Sequence, residues 1–221
     1  FLEKVTLKGT IIDSVLKFDA EGLKVTVKDA ANFSAMSGLL KKENFTDYQI
    51  VNVPVKNNKL LVEVLRSMNG DVTLEVVGNA FKLSAEKTDA ELIIPSEEFV
   101  ESNLNEMPKL DKLGVGFEFN SDILKDAKKN SSLLKSGIKL EVNGGFLKLA
   151  SGEEGFDKLI IKEKVDCKDM FSTYNAMFGE VVDCLTGNVN VSFESEYPMQ
   201  ITEKTLEYIV KWIIAPVAKQ E

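Results

Sequence analysis

Adjacent acids and rows of lysine are the groups in this chain with the means to do chemistry. Glu97-Glu98 and Glu153-Glu154 have the makings of general acid–base pairs, but neither stands beside a recognisable nucleophile or base. Adjacent acids in loops ordinarily serve solvation. The 221 residues include no histidine, which removes the commonest general base, the usual hydrolase triads and most zinc sites. No glycine-rich phosphate loop of familiar spacing is present. Cys167 and Cys184 allow one disulfide at most, and Cys184, on the apolar side of a predicted helix, reads as a buried thiol. The expectation is therefore no catalytic residue, no metal and no cofactor: a chain that is not an enzyme.

The basic rows are more informative. On a predicted helix over Ser121–Leu134, Lys125, Lys128 and Lys129 share one face, opposite Ile123, Ala127 and Leu134. Around a second helix, Val55–Met68, Lys56, Lys59 and Arg66 line up, interrupted by Glu63. Lys4 and Lys8 do the same on a short first helix over Phe1–Lys8. Such a row is either a solvated face or a sequence-blind track for phosphates. A third helix, read over Met170–Leu185, breaks the pattern: its polar side carries Asn175, Gly179, Glu180 and Asp183, and the nearest base is Lys168 in the loop before it. Net charge is −8, which argues against simple adsorption to nucleic acid through overall charge and does not exclude a locally basic surface.

The elements that must carry these rows occur in two similar sets. In the first, Ile11–Phe18 and Leu23–Asp29 alternate about the turn Asp19–Gly22 as a hairpin. A strand over Phe45–Val53, Pro54 and the Val55–Met68 helix follow, then strands Val72–Val77, Ala80–Ala85 and Ala90–Ile94, with Gly78-Asn79 as a tight turn. In the second, strand Phe117–Phe119 precedes the Ser121–Leu134 helix. The hairpin Gly137–Val142 and Phe146–Ala150, strand Asp157–Val165 and the Met170–Leu185 helix come next. Val189–Phe193, Met199–Thr202 and Tyr208–Ile214 close the set. Landmarks recur roughly 120 residues apart, which points to two copies of one topology. Domains over 1–94 and 110–221 are expected, joined by a connector over 95–109 whose Phe99, Val100, Leu104 and Met107 suit it to lie on a surface. A hydrophobic content of 44% supports a real core in each. No apolar run approaches the ~18–20 residues that span a bilayer, and no signal peptide is visible, so a soluble intracellular protein is expected.

Tyr197-Pro198-Met199-Gln200-Ile201 followed by Lys211-Trp212-Ile213-Ile214-Ala215-Pro216-Val217 resembles the C-terminus of DNA sliding clamps of the proliferating cell nuclear antigen (PCNA) family. Glu21-Gly22-Leu23 through Asp29-Ala30-Ala31-Asn32-Phe33 is similar to that family's Glu-Gly strand and Asp-Pro-Ser loop, with Ala30 in place of the proline. Ile123–Lys128 resembles the start of its second-domain helix. The likeness covers nearly the whole chain through order and spacing. It also implies an opening strand ahead of Phe1, the counterpart of Val115–Phe119.

The resemblance implies an α+β fold of two topologically similar clamp domains, with helices on one face and antiparallel sheets outside, assembling into a ring. It implies a DNA polymerase processivity factor, a homotrimer encircling duplex DNA without sequence preference and serving replication and repair in cytoplasm or nucleus. Lys4, Lys8, Lys56, Lys59, Arg66, Lys125, Lys128 and Lys129 would face the DNA. Subunits would join through Thr88, Ala90, Leu92 and Ile94 on one side and Lys158, Ile160, Lys162 and Lys164 on the other. The partners implied are DNA polymerase, the clamp loader and other proteins carrying a PCNA-interacting peptide. That peptide would enter a pocket of Phe33, Phe99, Leu104, Pro198, Ile213, Ile214, Ala215 and Pro216. The alternatives are a subunit of a hetero-oligomeric or checkpoint-type clamp, and a protein-binding module that forms no ring.

Overall fold

The computed structural model describes residues 1–47, 49–114, 116–152, 157–166, 168–174 and 176–217. Glu153-Glu154, Cys167 and Asn175, singled out above, lie outside the described residues. The chain divides into two units: Phe1–Met107 with Thr205–Val210, and Pro108–Lys204 with Lys211–Glu221.

Unit 1 opens with a short helix α1 (Leu2–Val5) and a 3-10 turn over Leu7–Gly9. The expected continuous helix over Phe1–Lys8 breaks because Leu7 and Lys8 take positive φ, 48° and 56°. Strands β1 (Ser14–Asp19), β2 (Gly22–Lys28), β3 (Ser34–Lys41) and β4 (Val51–Val55) form an antiparallel layer in the order β4-β1-β2-β3. In β2, Leu23, Val25 and Val27 are buried and Lys24, Thr26 and Lys28 are not, the alternation of a half-buried strand. Gly22 is required at the turn: its φ is +138°, and a Cβ there would meet Leu40 O at 2.1 Å. The sequence pattern missed β3, whose Ser, Ala and Gly residues mask its alternation. Gly38 is the reason for the small side chains, since a Cβ on it would lie 2.3 Å from Val5 of α1.

The strand expected over Phe45–Val53 is corrected to β4, preceded by a 3-10 turn at Lys42–Asn44. β4 contains Pro54, opposite Val15, and is outermost in its layer, where the missing N–H costs no ladder bond. The next helix, α2 (Asn58–Ser67), starts later than the expected Val55, because the Asn57 side chain accepts from Leu60 N–H at 2.9 Å and sets the N-terminus. Asn58, almost fully buried, ties α2 to the chain entering β1. Its N–H donates to Ile12 O at 2.7 Å and its Nδ2 to Ile11 O at 3.0 Å, while its Oδ1 accepts from Ser14 Oγ at 2.8 Å. Strands β5 (Thr73–Val77), β6 (Ala80–Ala85) and β7 (Thr88–Ile93) complete the unit as a β5-β6-β7 sheet.

Unit 2 replays this order. It contains β8 (Phe117–Asn120), α3 (Asp122–Leu134), β9 (Ile138–Asn143), β10 (Phe146–Gly152) and β11 (Lys158–Lys164). It continues with β12 (Met170–Tyr174), α4 (Ala176–Val182), β13 (Asn188–Ser192), β14 (Met199–Lys204) and β15 (Tyr208–Ile214), the last of which begins in unit 1. The layers are β11-β10-β9-β12 and β15-β14-β13-β8. Thus β9 to β12 repeat β1 to β4, α3 and α4 repeat α1 and α2, and β13 to β15 repeat β5 to β7. β8 alone has no counterpart among the described residues of unit 1.

The helix expected over Met170–Leu185 is corrected to β12 followed by α4. Met170, Ser172 and Tyr174 turn inward at a period of two, and β12 pairs with β9 from Met170↔Val142 to Tyr174↔Ile138. Tyr174, Phe178, Phe193 and Trp212 are fully buried, and Cys184 is buried. Buried Glu203 on β14 accepts from Thr186 N–H at 3.0 Å and Thr186 Oγ1 at 2.7 Å.

Two outcomes test this packing. Asn58→Ala leaves Ser14 and Ile11 without their buried partner and lowers the stability of unit 1 by about 2–4 kcal/mol in chemical denaturation. Burial pushes the Tyr174 hydroxyl up from 10.0 to about 12, with Tyr174 Oη donating to Tyr197 O at 3.0 Å. A folded value above the unfolded one gives stability that is complete below about pH 10 and fades as pH rises toward 12. Unfolding free energy therefore falls by about 2–3 kcal/mol across that range, and Tyr174→Phe flattens the slope.

Candidate nucleic-acid and partner interfaces

The basic residues divide into those already engaged and those left over. In unit 1, α2 lies close against the turn after α1: a Cβ on Gly9 would fall 2.7 Å from Lys59 Cβ. Arg66 Nε donates to Glu3 Oε1 at 2.5 Å, and this bond holds the Glu3 carboxyl below its ordinary value. Lys4 Nζ sits 5.7 Å from the centre of the Tyr208 ring, and Lys56 Nζ reaches Phe99 O at 3.4 Å. Unit 2 is built the same way. The Lys128 stem crosses Gly179 of α4, where a Cβ would lie 3.3 Å from Lys128 Cε, and its ammonium pairs with Asp183. Lys125 pairs with Asp122 at 3.1 Å, and Lys168, the expected stand-in base near α4, pairs with Glu194. Lys8, Lys59 and Lys129 are exposed and have no ion pair among the described residues. Periodicity placed Lys128 on a basic face; only the fold brings Asp183 to it.

The residues expected to receive a partner peptide come from three places. Phe33, about half exposed, rides on a loop shaped by Asp29. The Asp29 carboxylate accepts from Ala31 N–H at 3.0 Å, Ser34 N–H at 2.5 Å and Ser34 Oγ at 3.1 Å. Those bonds, with Asn32 at φ 58°, turn the chain without the proline that Ala30 replaces. Phe99, also exposed, and half-buried Leu104 lie on the connector, which is pinned to β2: Lys28 N–H donates to Ser102 O and Leu104 N–H to Thr26 O, both at 2.9 Å. Asp13, buried just ahead of β1, accepts from Glu101 N–H at 3.2 Å and Ser102 N–H at 3.0 Å. The sequence reading overlooked Asp13 as a positioning residue; an acid directly after Ile11-Ile12 was the available signal. In unit 2, Pro198, Ala215 and Pro216 are half-buried, whereas Ile213 and Ile214 belong to the core. Val217 N–H donates to Thr173 O at 2.8 Å, which lays Pro216 beside Tyr174.

The two strands expected to join subunits are both sheet edges among the described residues, where β7 pairs only with β6, and β11 only with β10. Ile94 N–H donates to Asn79 O, so the alternation of an antiparallel ladder aims the backbone groups of Thr88, Ala90 and Leu92 at β6. The unspent groups are those of Asp89, Glu91 and Ile93. On β11, Val165 N–H donates to Gly145 O, and the unspent groups are those of Lys158, Ile160, Lys162 and Lys164. Leu92 lines a cavity of about 90 Å³ with Pro54, Val55, Leu60 and Phe81. Among the described residues there is no cluster of metal-ligating side chains and no helix long and apolar enough to cross a membrane.

No protein-family model and no curated protein matches this sequence. Solved structures do. PCNA from Entamoeba histolytica superposes with a TM-score of 0.82 at 19% identity, over 98% of this chain and 93% of that one. The structure of the C-terminal region of FEN-1 bound to A. fulgidus PCNA gives 0.86 at 14% identity, over 100% and 96%. The chain has the PCNA fold. A PCNA2–PCNA3 complex from Sulfolobus tokodaii adds a TM-score of 0.73 at 17% identity, over 99% and 95%. The PCNA fold accounts for the repeat of helices and antiparallel layers found in the two units.

The Asp13 anchor has a direct readout. Asp13→Ala speeds hydrogen exchange at the Glu101 and Ser102 amides by about tenfold or more while α3 and β9 to β12 keep wild-type protection.

Proposed function

We propose that this chain is a non-enzymatic subunit of a ring-shaped sliding clamp that encircles duplex DNA and acts as a polymerase processivity factor. The observation that carries this reading is the PCNA fold over the whole chain. A clamp holds by topology, so it needs weak, sequence-blind attraction to phosphates rather than tight binding. Lys8, Lys59 and Lys129 suit that role, with Lys4, Lys56, Arg66, Lys125 and Lys128 already sharing their charge with local partners. Two domains cannot surround a duplex alone; three copies joined head to tail close a ring of six domains. The open edges of β7 and β11 are the natural joints, because unspent backbone groups seek a strand. Phe33, Phe99, Leu104, Pro198, Ile213, Ile214, Ala215 and Pro216 would receive the PCNA-interacting peptide of polymerases, clamp loaders and other replication or repair proteins. Such a clamp works inside the cell, at DNA. The likeness to the PCNA2–PCNA3 complex supports a second reading, in which this chain is one member of a hetero-oligomeric ring.

Topology supplies the test. Linear duplex is incubated with the protein, its ends are then blocked, and the complex is washed at about 1 M salt, where the Debye length is about 3 Å. A clamp that has threaded an open end stays on this DNA and is absent from DNA blocked beforehand. Equal loss from both substrates would defeat the encircling reading. Lys59→Ala with Lys129→Ala weakens low-salt DNA binding and reduces its salt slope by about two.

A further inference from the structure

Asparagine followed by glycine occurs twice in the chain, at Asn69-Gly70 and at Asn143-Gly144. In such a pair the glycine nitrogen is a nucleophile and the asparagine side-chain amide its target. Glycine has no side chain to shield that nitrogen, and its permissive backbone lets the nitrogen approach the amide carbon. The fold decides which of the two pairs can close.

At Asn143-Gly144 the approach is blocked. Asn143 ends β9 in extended backbone, paired with Phe146 across the turn. Its Nδ2 donates to Glu141 Oε1 at 3.1 Å, which draws the side chain back along the strand. Gly144 N–H donates to Asp169 Oδ1 at 3.0 Å, so the proton that must leave is held by a carboxylate. Asn69-Gly70 has none of these restraints. The pair follows α2 and precedes β5, outside both elements, and both residues are exposed. Neither takes part in a hydrogen bond among the described residues. Gly70 has φ +77°, and no atom lies within 4 Å of where a Cβ would stand, so there is room for a ring to form.

We propose that Asn69 is a self-modification site, at which the folded chain exchanges an amide for a carboxylate, while Asn143 is protected by its turn. Gly70 N gives its proton to hydroxide and bonds to Asn69 Cγ. The Cγ–Nδ2 bond breaks, the nitrogen leaves as ammonia, and a succinimide ring remains. Water then adds to one of the two ring carbonyls and opens that C–N bond. Opening at Cγ yields aspartate; opening at the main-chain carbonyl carbon yields isoaspartate, with the chain rerouted through the side chain. Either product adds one negative charge beside Asp71 at the C-terminal end of α2, where the helix dipole opposes it. The helix that carries Lys59 and Arg66 is therefore the element on which the change acts. This chemistry is independent of whether the chain forms a ring.

Peptide mapping by mass spectrometry tests the site. The full chain is held folded at mildly alkaline pH, beside a sample unfolded in urea, and isoaspartate is detected with an isoaspartyl methyltransferase. In the folded protein the Asn69 peptide gains about 1 Da and becomes a methyl acceptor, faster as pH rises. Its rate exceeds that of the Asn143 peptide by about tenfold or more, the factor expected when a charge-assisted hydrogen bond must first break at Gly144. In urea the two sites react at similar rates, and Asn69→Gln abolishes the change in its peptide. Equal rates at Asn69 and Asn143 in the folded protein would overturn the proposal. So would an Asn69 that stays intact in the folded chain while the unfolded chain reacts.

Discussion

The structure depends on how its sheet edges are treated. An antiparallel ladder ends in a strand with half its N–H and C=O groups unspent, and each such edge must be covered, shortened or left as a joint. This chain covers several of them with its own irregular segments. The connector pairs with the later half of β2, Thr205–Val210 meets the end of β3, and Val217 closes on β12. β4 blunts its edge with Pro54. On β7 and β11 no such device is present among the described residues, although both carry apolar side chains in the open: Ile93, Leu159 and Ile160. Their side chains differ in sign, Asp89 and Glu91 on β7 against Lys158, Lys162 and Lys164 on β11, and like charge on an edge disfavours its pairing with a copy of itself.

The same economy governs the helices. In each unit a glycine lets two helical segments approach, Gly9 beneath Lys59 and Gly179 beneath Lys128, and one ion pair crosses the gap. That arrangement consumes Arg66 and Lys128 as local partners and leaves fewer cations facing outward than the sequence contains. In the clamp proposed above, a chain of net charge −8 with a sparse basic lining would hold a polyanion weakly, since each free cation adds to the salt-dependent attraction.

Much of the fold was legible because long strands alternate cleanly and turns carry their own chemistry. Leu23, Val25 and Val27 mark the buried face of β2, and Gly78 and Gly144 mark two-residue turns. β3 was illegible because close packing against α1 demands small residues, which erase the hydrophobic signal. β12 was illegible because Met170-Phe171-Ser172-Thr173-Tyr174 satisfies helical and strand periods alike over so few residues. For the site, charge type was readable and charge state was not. Nothing local tells that Asp183 reaches Lys128, or that Asp13 holds a connector about 90 residues away. On β11 the residues with unspent backbone groups were readable from alternation. On β7 the parity of unspent groups follows from the two-residue turn Glu86-Lys87, a geometric consequence rather than a composition signal.

The central claim is that two units of this kind become functional only as a closed ring. Light scattering over a dilution series, using a chain that includes any residues preceding Phe1, measures that directly. The account predicts a mass near three chains that persists on dilution until the joints dissociate. A mass of one chain at every concentration would contradict the homotrimeric ring and direct attention to a missing, non-identical subunit.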